Sequence, residues 1–416
     1  MGSRAGVAPR LGIRANLGQF ALLTLTVFWV GSVIGVERVV VPILGTEEFH
    51  LTLYLAILSF VASFGFVKAF LNLVAGRAAD RWGRRRILIF GWLVAIPVPF
   101  LLATAPNWDW IVIANALVGV NQGLAWTMSV TSQIDVAGPK ARGLAVGINE
   151  AAGYAGVTAG GLIGAALAIP YTSAHPFEFL LGVVVIALLV SLLFIRESRG
   201  HVRMEATEVL HSPSNGPRHD WWSAFARTTW RDRNLFACSQ AGLIEKFVDT
   251  VAWGLFPLFF LSRGLSLSSI GGVVGAYTGT WAVLQMFTGA WSDRVGRKRL
   301  IVGGMELAGA GVAVVALTTS LLGWVVGAAM AGLGMAMLYP NLIAAVSDVA
   351  LPSERGTVLG VYRFWRDSGY GFGAIFAGVV ADALGLTGAF LSVTLLMVVS
   401  GIIVAVALRD DSRRAG

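Results

Sequence analysis

Long apolar runs alternate with short polar breaks along almost the whole chain. Twelve runs can be marked off: 18–42, 51–75, 87–104, 110–134, 145–169, 177–195, 235–261, 267–289, 300–318, 322–348, 357–380 and 386–408. Each is long enough to cross about 30 Å of hydrocarbon as a helix. The pattern predicts an all-α membrane protein with twelve transmembrane helices. The longest polar stretch, 196–234, divides them six and six. The expected units are therefore residues 1–195, a linker at 196–234, and residues 235–416. Within the linker, Trp221, Trp222, Phe225 and Trp230 alternate with Arg227, Arg231 and Arg233, the composition of an amphipathic helix lying on a membrane surface.

The two halves repeat one another. Gly76, Asp80, Arg81, Gly83 and Arg84 follow the second run; Gly289, Asp293, Arg294, Gly296 and Arg297 follow the eighth, and 293 − 80 = 213. Asp135, Arg142 and Gly143 recur as Asp348, Arg355 and Gly356 at the same offset. A duplicated six-helix unit follows, giving two bundles related by a pseudo-two-fold axis. In the repeated turn, Gly83 and Gly296 permit a tight reversal, and an Asp at a fixed place can bind the positive N-terminus of a facing helix.

Composition agrees with a bilayer as solvent: 56% of residues are apolar, 13% are charged and mean hydropathy is +0.74. The net charge of +8 does not mark a nucleic-acid protein, because 25 of the 31 Lys and Arg fall in alternate connections. By the positive-inside rule both termini and the linker are cytosolic, which predicts a multi-pass protein of the inner (plasma) membrane. The basic N-terminus precedes an apolar run too long for a cleaved leader, so it is expected to persist as the first helix. Cys238 is the one cysteine, and no phosphate-binding, zinc-protease or nucleophile-elbow motif is present. An enzyme, a metal site and a bound cofactor are not expected.

At its two basic turns the chain resembles the major facilitator superfamily, whose signature there is G-x-x-x-D-R-x-G-R-[RK]. The resemblance implies alternating access about a site near the membrane midplane. It also implies that helices 1, 4, 7 and 10 line the cavity, and that helices 2, 5, 8 and 11 form the gate. It further implies that Asp80 latches to the start of helix 11 near Gly356, and Asp293 to the start of helix 5 near Gly143. On helix 5, Gly147, Gly156, Gly160, Gly161, Gly164 and Ala165 are similar to the glycine motif of drug:proton antiporters, with Gly161 where that motif has Pro. Plain helix packing accounts for the same glycines. The helix 4 motif of proton-coupled members anchors on Gln122 and Gly123 but has Gly119 in place of its Arg, which removes that family's usual coupling cation.

Charges inside spans are expensive and therefore informative. Glu37 and Asp249 lie at matched depths in the two halves, and Asp249 shares a helix face with Glu245; these, with Glu150, are the candidate proton carriers. A static pair with a neighbouring cation is the alternative for Glu37. Arg38, Arg363 and Arg366 are candidate ligands for an anionic substrate. Asn121, Gln122, Trp253 and Tyr339 complete the candidate cavity. Arg363 and Asp367 are spaced to pair along their helix, Arg363 and Glu150 to bridge the halves, and Lys68 to join them. The expected function is secondary transport of a small molecule, with proton-coupled export first and proton-coupled uptake or facilitated diffusion of a small anion second. A lipid flippase or a non-transporting sensor is the alternative of another class. A monomer is expected, with its substrate, protons and the lipid bilayer as partners.

Overall fold

The glycines of the repeated turn do what their positions predict. Gly83 (φ +101°) ends one helix and starts the next, and Gly296 (φ +98°) repeats the geometry in the second half. The computed structural model describes residues 11–138, 141–168, 175–201, 221–350 and 354–409, apart from the side chains of Arg77, Asp80, Ala290, Asp293 and Arg355. The expected latch carboxylates, Asp80 and Asp293, and residues 202–220 of the linker therefore lie outside the described residues.

Among those residues the structure is helical. The first half contains α1 (Leu17–Glu47), α2 (Tyr54–Trp82), α3 (Arg84–Ala95), α4 (Pro97–Ala103), α5 (Trp108–Ala137), α6 (Arg142–Leu167) and α7 (His175–Leu193). The linker contributes α8 (Trp221–Ala226), and then come α9 (Arg233–Thr250), α10 (Phe256–Ser262), α11 (Leu267–Val295), α12 (Arg297–Leu317), α13 (Leu321–Val349) and α14 (Arg355–Ala407). Pro97 starts α4 on the axis of α3, and a π-helical turn, Val251–Leu255, joins α9 to α10. Gly385 (φ +75°) breaks α14 into two limbs. Among the described residues, eight helices are long and apolar enough to cross a membrane. Large apolar side chains such as Leu193 and Leu322 stand exposed on the outside, as a lipid-facing surface requires.

Packing follows the duplication. α1 lies on α6 as α9 lies on α14; α2 lies on α5 as α11 lies on α13; and α2 meets α14 as α11 meets α6. Glycine makes the first pair possible. A β-carbon on Gly156 would sit 2.0 Å from the Phe28 carbonyl oxygen, and one on Gly160 would sit 2.2 Å from that of Ser32. The glycine motif on α6 is thus occupied in helix packing. Gly147, on the same helix, has open space around it. Gly156→Leu is expected to abolish folded protein and Gly147→Leu to spare it; the yield of monodisperse protein in detergent checks both.

Among the described residues, contacts between the two halves are found at the far end and at mid-depth. At the end opposite the basic turns, Asp382 on α14 accepts backbone N–H bonds from Tyr54 (2.6 Å) and Leu55 (3.1 Å), capping α2. Deeper, Thr158 on α6 meets Thr278 on α11 at 2.8 Å. Toward the basic end, a cavity of about 280 Å³ is lined by Asn72, Leu73 and Gly76 of α2 and by Gly356, Thr357 and Gly360 of α14, with Trp221 on its wall. Among the described residues the basic end is parted at this cavity and the far end is closed by the Asp382 contacts. Asp382→Asn removes a charge from a helix N-terminus, about 0.3–1 kcal/mol. A shift of about twofold to fivefold toward a parted far end is expected, read as a spin-label distance distribution across Leu53 and Leu384.

The segment α8 with its following π turn, Arg227–Arg231, docks on the start of α14. Arg227 pairs with Glu354, and the Trp365 indole donates to Thr229 Oγ1 at 3.0 Å. Trp222 and Trp230 remain exposed, as an interfacial helix requires.

Candidate functional site

Midway along the helices the halves enclose a polar cavity. Its wall comes from α2 (Lys68), α5 (Gln122, Trp126), α6 (Glu150, Tyr154), α9 (Lys246), the π turn (Trp253), α13 (Tyr339) and α14 (Arg363, Arg366, Asp367, Tyr370). Free volume is about 20 Å³, room for roughly one water, so cargo must spread the walls. Four of these residues are cations and two are carboxylates.

Two carboxylates organise the cations. Asp367, fully buried, receives Nε (2.7 Å) and Nη2 (3.0 Å) of Arg366 and the amide of Asn72 (2.7 Å), with Lys68 Nζ at 3.4 Å. Lys68 and Asn72 come from the first half and Asp367 from the second, so this cluster ties the halves together. Asp249, also fully buried, takes Lys246 Nζ at 2.9 Å and the hydroxyls of Tyr277 and Tyr370. Lys246 also lies 3.3 Å from Glu245. Arg366 keeps Nη1 for the Tyr339 hydroxyl at 3.0 Å.

Aromatic rings surround Lys246. Its Nζ is 4.9 Å from the Trp281 ring centre, 5.1 Å from that of Tyr339 and 5.5 Å from that of Tyr370. Tyr154 stacks on Trp281 at 3.7 Å, and Trp253 on Tyr370 at 5.4 Å. This arrangement can hold a planar ring between aromatic faces while a cation takes its acidic group.

Several expectations are corrected. Glu37 is fully buried but does not line the cavity, and neither of its oxygens has a hydrogen-bond partner; the matched depth with Asp249 does not bring them to one site. Arg38 also lies off the cavity, as does α1 as a whole. Asn121 points elsewhere, donating to the Gly91 carbonyl at 3.0 Å. Glu245 lies behind the wall, and Lys246 stands between it and Asp249, so the two acids share a cation rather than face one another bare. Asp367 pairs with its neighbour Arg366 and with Lys68, not with Arg363, which sits half-buried on the rim. Glu150 bonds the Trp126 indole at 2.9 Å and forms no bridge to Arg363. Gln122, Trp253, Tyr339, Arg363, Arg366 and Glu150 do line the cavity, and Lys68 joins its network as expected.

Sequence reasoning missed Tyr154, Tyr277 and Tyr370, while Trp281, with Trp126, is readable as a candidate cavity aromatic within a span. One signal was available: Tyr277 and Trp281 lie four apart on α11, one helix face within an otherwise small and apolar span. In α2 and α5 the repeat positions of Trp281 and Tyr339 are Lys68 and Trp126, and all four reach the centre.

The chain aligns over 91% of its length with 93% of an uncharacterized MFS-type transporter of Salmonella typhimurium, at 25% identity. It also aligns over 82% of its length with 82% of the 3-(3-hydroxy-phenyl)propionate transporter of Escherichia coli, at 28% identity. In fold it is similar to the human organic anion transporter MFSD10, with a TM-score of 0.68 at 16% identity over 93% of this chain and 98% of the other. The molecule is a multi-pass membrane transporter and not an enzyme. The model of the Major Facilitator Superfamily matches residues 20–244 and 238–416, and the chain belongs to that family.

Proposed function

We propose that this transporter carries a small organic anion bearing an aromatic ring, together with protons, by alternating access between two six-helix bundles of twelve crossings in all. One observation carries the reading: Lys246 and Arg366 stand inside a box of Tyr and Trp rings at the junction of the halves. The bundles are residues 1–195 and 235–416, related by a pseudo-two-fold axis, with the basic end cytosolic. The relative from E. coli, named for an aryl propionate, supports this cargo class.

Lys246 supplies the coupling. It neutralises Asp249 when no solute is bound. A solute carboxylate that takes the ammonium leaves Asp249 buried without its cation, and a proton from water then neutralises it. One negative charge and one proton cross together. Closure of the basic end would bring Asp80 and Asp293 against the helix starts at Gly356 and Gly143. Export had rested on the α6 glycines, which packing explains, so the driving direction is left to the imposed gradient.

Proteoliposomes loaded at one pH and diluted into another, with labelled 3-(3-hydroxyphenyl)propionate as probe, test the reading. Flux is expected to follow the proton gradient and to reverse with it. Flux indifferent to the gradient would reduce the protein to facilitated diffusion, and no flux of any aromatic carboxylate would remove the cargo class.

A further inference from the structure

Arg38 is fully buried, yet only one of its nitrogens is engaged. Nη1 donates to Asn115 Oδ1 at 3.1 Å, while Nε and Nη2 meet no protein acceptor. Rings wall the guanidinium in: the centres of Phe64, Phe60 and Trp253 lie 4.4, 5.2 and 5.7 Å from Cζ. The Trp253 indole N–H is another buried donor without an acceptor. A buried donor left without an acceptor is costly, more so when charged, and packing alone does not call for two of them on one cation. Glu37 does not answer them, because the next residue in a helix lies about 100° round the axis.

The position of Arg38 gives these donors a use. Trp253 and Tyr370 stack with an interplanar angle of 15°, and both line the central cavity. Arg38 lies off that cavity, close to the Trp253 ring. Trp253 itself belongs to the π-helical turn Val251–Leu255, which runs up to Pro257. π-Helical turns of this kind are rare and are found frequently at functional sites.

We infer that Arg38, backed by Asn115 and flanked by the Trp253 indole, is a second anion subsite that receives the carboxylate of the solute when Trp253 turns away from Tyr370. The planar fork of Nε and Nη2 matches a carboxylate, and Phe60 and Phe64 offer faces to an aromatic ring. The ligand class is an aromatic carboxylate. This inference rests on the organic-anion reading above.

Titration calorimetry on the purified full-length protein separates the two, with benzoate and 3-(3-hydroxyphenyl)propionate as probes. Arg38→Gln and Trp253→Phe are each expected to weaken binding about tenfold, with Arg38→Lys intermediate because it keeps charge but loses the fork. A structural role for Arg38 would lower the melting temperature and leave Kd alone. If Lys246→Gln weakens binding while Arg38→Gln and Trp253→Phe stay within twofold of the unaltered protein, the subsite is overturned and the cargo class stands. If the unaltered protein binds neither probe, both are overturned. Should Arg38→Gln fail to fold, Trp253→Phe decides alone, since it removes the indole donor while leaving a smaller aromatic face in its place.

Discussion

Replacing Asp367 by Ala is expected to destabilise the folded protein by about 3–5 kcal/mol, the penalty for breaking a buried ion cluster from one side. Its carboxylate holds both donors of the Arg366 fork, the Asn72 amide and the Lys68 ammonium. Removing it leaves two cations at mid-depth with no acid in their place, and it cuts a tie between the halves. Denaturant unfolding in detergent, followed by tryptophan fluorescence, measures the loss. Asp109→Ala, at an exposed position, is the control. An Asp367→Ala loss no larger than the control's would show that the cluster is not a structural tie.

Lys246→Gln is the second large effect. It removes the cation that Asp249 and the solute are proposed to share, and truncating one partner of a buried hydrogen-bonded charge pair costs about 2–5 kcal/mol. Uptake of 3-(3-hydroxyphenyl)propionate is expected to fall at least about 30-fold in kcat/KM. Asp249→Asn should behave differently: Lys246 keeps its charge, with Glu245 as its remaining acid, so binding persists while the dependence of flux on the proton gradient disappears. Wild-type coupling in Asp249→Asn would discard the shared-cation mechanism. The tyrosines support this split, because the hydroxyls of Tyr277 and Tyr370 still hold residue 249 in place.

How far the sequence could be read depended on whether a feature was local or not. The reversals at Gly83 and Gly296 depend on one residue's backbone freedom, and both were legible from the repeat. Lys68 was legible as a network member because a cation inside a span needs an acid nearby. Partner choice was not. The spacing of Arg363 and Asp367 suits a helix pair, but Arg366 reaches back to its own neighbour with both arms, a geometry set by a side chain and not by helical period. Glu37 failed for another reason. Depth along a span is readable from position, but the direction a residue faces depends on rotation about the axis, which tertiary packing sets. The Lys246 bridge shows the same limit, since Glu245 and Asp249 share a helix face and the long flexible stem of Lys246 decides that both acids meet one cation.

The central claim is that the two ends open in turn. Spin labels at Gly76 and Gly356 report the basic end, and labels at Leu53 and Leu384 report the far end, in separate doubly labelled proteins that keep the buried Cys238. Distance distributions are then recorded across a pH series, with and without 3-(3-hydroxyphenyl)propionate. The account predicts opposite changes, with the basic-end pair closing in the same proportion of molecules as the far-end pair parts. Distances that move together at both ends, or that stay fixed at both under every condition, would contradict it.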